Sequence, residues 1–292
     1  MTPEFEQLVD KAPYGVSERL SPLVRRVLAR NPSAFTFTGT GSYIVGNGTV
    51  AIIDPGPADL AHLDAVAAAV AGETVSHLVI THTHMDHSPG ALPLKAKLGG
   101  RIVGCAPLML RDDGPRADAG FDPDYAPDRV LANGEAISGP GWTLRAVHTP
   151  GHTSNHLCYA LEEEGALFSG DHVMGWSTTV VAPPDGDMAA YMASLRMLLD
   201  RPDRRYYPTH GAPVDEPQRF VRGLITHRRQ RETQILGHLA AGPQPIAPMV
   251  EQMYASVDRR LWPAAGRSVL AHLIDLEARG QVVRDGEKWT AA

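Results

Sequence analysis

The 292-residue chain has few cysteines, no long apolar run and no excess of positive charge, and each shortage narrows what it can be. Its two cysteines, Cys105 and Cys158, lack the spacing of a zinc knuckle and read as small buried hydrophobes. So few thiols fit a reducing cytoplasm. No stretch approaches the roughly 18 apolar residues of a membrane helix. Met1 to Lys11 carries Glu4, Glu6 and Asp10 and has no apolar core of the kind a secretion signal needs. A cytoplasmic protein without a membrane span is therefore expected. A net charge of −6 argues against a surface that coats a polyanion, while leaving room for a local basic groove. The length suggests about two domains, and 43% apolar residues are enough for a sizeable core.

Histidine is what the chain has in a pattern. Thr81-His82-Thr83-His84-Met85-Asp86-His87 places three imidazoles and a carboxylate directly after the strand candidate Ser76 to Ile80. Imidazole together with carboxylate suits Zn²⁺, and iron or manganese is compatible. The segment offers more ligands than one ion at an open catalytic site needs, so two ions are expected. Three further strand candidates also end in a ligand type. Thr143 to His148 runs into Pro150-Gly151-His152-Thr153, Ala166 to Ser169 into Gly170-Asp171, and Tyr206 to Thr209 into His210-Gly211. Val50 to Ile53 ends in Asp54-Pro55-Gly56, where Asp54 is placed to orient a ligand through a hydrogen bond.

IIDPG at 52–56, THTHMDH at 81–87, PGHT at 150–153, SGD at 169–171 and THG at 209–211, in this order, resemble the metallo-β-lactamase superfamily. The resemblance implies an α/β (α+β) chain folded as an αββα sandwich, with metals in a cleft at one edge of two sheets. Carried over by position, it implies His82, His84 and His152 on a first metal, Asp86, His87 and His210 on a second, and Asp171 bridging them. Two divalent ions roughly 3.5–4 Å apart share a water and bring its pKa towards about 7. The resulting hydroxide would attack an ester, thioester or phosphodiester without a serine or cysteine nucleophile. Asp86 is the candidate catalytic side chain, orienting that hydroxide or moving its proton. Two Zn²⁺ are expected, with Mn²⁺ or Fe²⁺ as alternatives.

The other histidines call for duller readings. His62, His77, His227, His238 and His272 lie away from the motifs and read as surface or packing. His156 and His172 neighbour ligand candidates and read as structural or as partners of ligands, because side chains alternate along a strand. His148 reads as packed.

Helical spacing predicts helices over 58–70 and 188–199. Arg111 to Asp128 reads as a loop near the cleft mouth, and Gly175 to Asp187 as a lining of the substrate pocket. Composition shifts after about residue 215, giving a catalytic domain over 1–222 and a second domain over 223–292. Helices are expected over 216–239, 249–257 and 264–279, then a hairpin turning at Asp285-Gly286. That order describes a winged helix. From His227 to Ala292 it holds nine Lys/Arg against seven Asp/Glu, a net of +2, which is weak for duplex readout. It is expected to pack on the catalytic domain, shaping its cleft or a homodimer interface.

With FSGD at 168–171, Thr178-Thr179-Val180 and Leu273-x-x-Leu276-Glu277-x-x-Gly280, the resemblance narrows to the lactamase-beta-2-like branch. Its mitochondrial members are single-strand-specific endoribonucleases, so single-stranded RNA stands as an alternative to a small-molecule ester or thioester. PGHTSNH at 150–156 is also similar to glyoxalase II, but a winged helix replaces the helical domain that reads glutathione there. A third reading is a nucleic-acid-binding regulator acting through the winged helix.

Overall fold

Runs such as Tyr43-Ile44-Val45, Val50 to Ile53 and Leu78-Val79-Ile80 are buried at every position, which requires cover on both faces of the strands that carry them. The computed structural model describes residues 3–108 and 120–292 and provides that cover with two sheets sharing one core. The first sheet is laid out in chain order: β1 (Ser17–Arg19), β2 (Val24–Leu28), β3 (Gly41–Asn47), β4 (Thr49–Ile53), β5 (Thr74–Ile80), β6 (Arg101–Gly104) and β7 (Arg129–Val130). It is antiparallel up to β4 and parallel from β4 to β7. The second sheet contains β8 (Ala136–Gly139), β9 (Trp142–His148), β10 (Leu157–Leu161), β11 (Ala166–Gly170) and β12 (Arg205–Pro208), in the order β12-β11-β10-β9-β8.

The strand period of two sorts each face. In β10, Leu157, Tyr159 and Leu161 enter the core shared with the first sheet, while Cys158 and Ala160 join a second core on the other side. After α1 (Pro3–Lys11), the first sheet is covered by α2 (Leu60–Ala69) and α3 (Ala91–Leu98), and the second by α4 (Met188–Leu199) and the first half of α5 (Pro217–Ala240). α2 and α4 start where Asp59 and Asp187 accept hydrogen bonds from the backbone N–H groups of His62 and Ala190. These layers give the expected αββα order.

α5 divides its length between two cores. Val221, Leu224 and Ile225 lie in the second core. Ile235 and Leu239 lie in a third, with residues of α6 (Ile246–Met253), α7 (Trp262–Ala278), β13 (Val282–Asp285) and β14 (Lys288–Ala291). Helix, helix, helix and hairpin form the expected winged helix. It packs on the rest of the chain, since Ala271 of α7 reaches the second core and Arg267 donates to the carbonyl of Pro183.

Three local details differ from the sequence expectations. α6 starts at Ile246 and ends at Met253, earlier than 249–257. Pro248 is tolerated in its first turn, and the carbonyls of Met253 and Tyr254 are taken by Arg231 and by the Trp262 indole. The hairpin pairs Asp285 with Lys288, so its two-residue loop is Gly286-Glu287, with Gly286 at φ +59° in the first position. His148 is exposed, not packed, with Nε2 near the carbonyl of Ser154. Of the loop expected over 111–128, residues 111–119 lie outside the described residues. The part from Gly120 onward clamps the histidine motif through Met85 N–H to the Gly120 carbonyl and Asp122 N–H to the Thr83 carbonyl.

Two of the quiet histidines set an acid limit on the fold. Burial above all pushes His62 down to about 4 and His272 down to about 3 from the ordinary 6.5. Unfolded, both take up a proton near pH 6.5. The stability tied to their neutral forms is therefore whole above 6.5 and is lost as pH falls through 4. Denaturant midpoints should fall between pH 6.5 and 4, and His272→Leu should flatten that slope. An identical slope in the variant would contradict this assignment.

Candidate metal centre

β4, β5, β9, β11 and β12 all finish at one edge of the sandwich, because β4 runs parallel to β5, and β9 and β12 both run parallel to β11. The loops after them deliver Asp54, the 81–87 segment, His152, Asp171 and His210 to one place. All seven candidate ligands meet there. His82, His84 and His152 form one group, His82, His87 and Asp171 a second, and Asp86, His87 and His210 a third; within each group the ligand atoms lie within 4.8 Å of one another.

The ring nitrogens have assigned tasks. His87 Nδ1 lies 2.9 Å from Asp54 Oδ2, His152 Nδ1 2.7 Å from the Val180 carbonyl, and His210 Nδ1 3.1 Å from the Gly39 carbonyl. These oxygens only accept, so each Nδ1 carries a proton and each Nε2 faces the centre. His82 reaches the same state by one more link. The Thr81 hydroxyl donates to Asp54 and so accepts from His82 Nδ1 at 3.0 Å. His84 instead turns Nδ1 inward, 2.9 Å from His82 Nε2 and 3.1 Å from His152 Nε2. Asp171 spans the groups. Its Oδ2 is 3.8 Å from His152 Nε2, while its Oδ1 is 3.4 Å from His210 Nε2 and 3.6 Å from His87 Nε2.

Electrostatics separate the two ends. Burial first, then the neighbouring imidazoles, push His82 well down and His84 to about 3, so both are neutral, as ligands must be. Burial also opposes charge on His87 and His210, but the carboxylates overcome it. Asp86, Asp171 and Asp54 hold His87 well above its ordinary value, and Asp171 and Asp86 hold His210 up to about 10. Against the opposing effect of burial, His87 and His210 in turn hold Asp86 and Asp171 below the usual carboxylate range. This end is built to be balanced by positive charge. His87 Nε2 and Asp171 Oδ1 are buried with no hydrogen-bond partner and face each other. Once the imidazole proton is released, these two atoms are both acceptors and fit a shared cation.

Asp54 orients a ligand as its strand-end position suggested, while its partner Thr209 had no sequence signal of its own. Asp54 sits at φ +46°, fully buried, and takes four hydrogen bonds: from Thr81 N–H at 2.9 Å, the Thr81 hydroxyl at 2.8 Å, the Thr209 hydroxyl at 3.1 Å and His87. His156 Nε2 accepts the Asp171 N–H at 3.2 Å and so fixes that turn. Gly170 adopts φ +52°, where a Cβ would meet His156 Nε2 at 2.5 Å. His172 packs beside Tyr191 without a hydrogen bond to either ring nitrogen. A cavity of about 650 Å³ opens from the cluster and is lined by His84, Asp86, His152, Asp171 and His210, by residues 176–180, and by residues of the winged helix.

Residues 36–210 match the family model of the Metallo-beta-lactamase superfamily, and residues 246–289 match that of the Beta-lactamase associated winged helix domain. The chain belongs to the metallo-β-lactamase superfamily. It is a hydrolase of that superfamily with a C-terminal winged helix. A Drosophila melanogaster protein named Beta-lactamase-like protein 2 homolog is 35% identical over 279 residues, 90% of this chain and 91% of that protein. An atrochrysone carboxyl ACP thioesterase from a Cryptosporiopsis species is 34% identical over 225 residues, 75% of this chain, which spans 63% of that protein. The crystal structure of a Beta-lactamase domain protein from Burkholderia ambifaria covers 100% of this chain, and 99% of its own is covered, at a TM-score of 0.77 and 23% identity, a likeness of fold.

Because four donors converge on Asp54, replacing it tests the scaffold apart from any chemistry. Asn tolerates a positive φ but has one acceptor oxygen for those donors. Asp54→Asn should lower the unfolding free energy by about 2–3 kcal/mol, read from denaturant midpoints. A loss under about 0.5 kcal/mol, the scale of a surface change, would contradict the role given to this carboxylate.

Proposed function

We propose that the chain is a dinuclear, zinc-dependent thioesterase. The observation that carries this reading is the placement of Asp171, whose two oxygens face different groups of imidazoles. Two divalent ions held by these groups would bring the pKa of a shared water towards about 7 and draw charge from the oxygen under attack. His82, His84 and His152 would hold the first ion, Asp86, His87 and His210 the second, and Asp171 would contact both. Asp86 Oδ2, 3.2 Å from His210 Nε2 and 3.5 Å from the Thr40 hydroxyl, is held where it can accept the proton of the attacking water. Phe37 stacks on Trp176 at 4.9 Å, and Trp176, Met85 and Met174 line the cavity with apolar surface beside the cluster, suited to an acyl chain. In this reading residues 1–222 form the catalytic unit and 223–292 the unit that closes its cavity.

Thioesters are favoured over other acyl and phosphodiester substrates by the relatives named as ACP thioesterases. A nucleic-acid role has less support. Just after α7, Arg279 is occupied by Glu232 at 2.7 Å and Asp275 at 2.8 Å, and Asp275 and Glu277 add negative charge to that helix.

The test combines metal analysis with kinetics on the full chain. Elemental analysis should find two zinc ions per chain, and chelation should abolish turnover of acyl thioesters. Asp171→Ala should lower kcat by about a thousandfold or more while circular dichroism reports an intact fold. Near-normal kcat in that variant, or full activity after chelation, would sink the proposal. Asp86→Asn should empty mainly the second position, and retention of both ions would count against its place there.

A further inference from the structure

One wall of the cavity is built by α5 and the winged helix, through His227, Arg228, Arg231, Tyr254, Leu261 and Ser268. Its polar groups are mismatched with their burial. Arg228 is 3% exposed, donates to the Thr179 carbonyl and lies over the Tyr191 ring at 5.2 Å, yet its Nε has no hydrogen-bond acceptor. His227 Nε2 accepts from Arg231 Nε at 3.4 Å, which leaves the proton on Nδ1, and that buried atom also lacks a partner. Trp176 Nε1, on the adjoining wall, is buried and unpaired as well. Arg231 donates to the Met253 carbonyl and to Gln234 and stacks on Tyr254 at 4.4 Å. Among the described residues, neither arginine has a carboxylate partner.

All three unsatisfied atoms are donors. Burying a donor with nothing to accept from it forfeits its hydration, and burying a guanidinium without a counter-charge costs more. The carboxylates that line the same cavity, Asp86 and Asp171, are committed to imidazoles. What this wall lacks is an acceptor with negative charge. The rest of it is apolar, from Tyr254, Val257, Leu261, Ala264 and Ala265.

We propose that His227, Arg228 and Arg231, with Trp176, form a subsite for an anionic group, a carboxylate or a phosphate, carried by the substrate away from its scissile acyl bond. The subsite selects among thioesters, and in that respect it rests on the hydrolytic reading above. Its place relative to the imidazole cluster follows from one loop. Arg228 holds the Thr179 carbonyl, and the Thr179 hydroxyl lies 3.3 Å from His152 Nδ1. The apolar body of the substrate would lie along Tyr254 and Leu261. The charged group comes either from the acyl chain, as a terminal carboxylate, or from a phosphorylated thiol carrier.

Matched substrates separate these sources. The zinc-loaded full chain is assayed with hexanoyl and adipoyl thioesters of one uncharged thiol, and with one acyl group on pantetheine and on 4′-phosphopantetheine. In one of the two pairs the charged member should be favoured about tenfold or more in kcat/KM, mainly through KM, as a charge-assisted hydrogen bond supplies. Arg228→Gln should reduce that ratio about tenfold, and Arg231→Gln, at a half-buried position that tolerates change better, should reduce it in the same direction. Equal rates within both pairs, or unchanged ratios in both variants, would overturn the subsite. Turnover of single-stranded RNA faster than any acyl thioester would overturn the substrate class. A reading independent of turnover is the His227 ring in NMR spectra. Adipate or inorganic phosphate should shift its resonances in the wild type and not in Arg228→Gln, and 1,6-hexanediol should shift neither. If thioesters are not hydrolysed but adipate still shifts His227, the hydrolytic reading falls and the anion subsite stands. If thioesters are hydrolysed and neither anion moves His227, the subsite falls alone.

Discussion

The carboxylate of Asp54 is the point on which the centre depends. It is held at the end of β4 in a left-handed backbone conformation and receives donors from the ends of both sheets, Thr81 after β5 and Thr209 after β12. One buried charge therefore ties the two layers together at the edge where the ligand loops emerge. It also fixes chemistry at one remove. By accepting from His87 and from the Thr81 hydroxyl, which in turn accepts from His82, it sets the tautomers of two imidazoles. A buried carboxylate with four donors is stable where an unpaired one would not be.

From that anchor the division of charge follows. His82 and His84, buried among other imidazoles, are neutral, and His87 and His210, which face Asp86 and Asp171, are held in their charged forms until a cation takes the place of their protons. Strand ends place the residues, and burial with neighbouring charge assigns their states. The winged helix completes the enclosure, because residues of α5 and α7 line the same cavity as the imidazoles. A module that elsewhere serves as a reader of nucleic acid is here part of a pocket wall, and Arg279, at the end of α7, is spent on two carboxylates.

Much of this was legible in the sequence because ligands cluster at strand ends. The alternation of apolar strands with Asp, His and Gly at their carboxyl ends marks both the sandwich and the edge that holds the site, and the winged helix shows through its helical spacing and hairpin. Details that depend on contacts between distant segments were not legible. Nothing local distinguishes Thr209 or the carbonyls of Gly39 and Val180 as partners of imidazoles. His227 looked like an ordinary helix residue because its cavity is closed by segments far along the chain. The hairpin turned one residue later than its Asp-Gly pair suggested, since pairing of Val282 with Ala291 and of Asp285 with Lys288 set the register over the preference of the turn. His148 is exposed because it is the last residue of β9, beside Asn133 and Ser154.

The central claim is that two cations share Asp171. Anomalous diffraction at the zinc edge from crystals of the zinc-loaded protein tests it most directly. The account predicts two peaks roughly 3.5–4 Å apart, one among His82, His84 and His152, the other among Asp86, His87 and His210, with an oxygen of Asp171 against each. A single peak, or two peaks with Asp171 bound to neither or to only one, would contradict it.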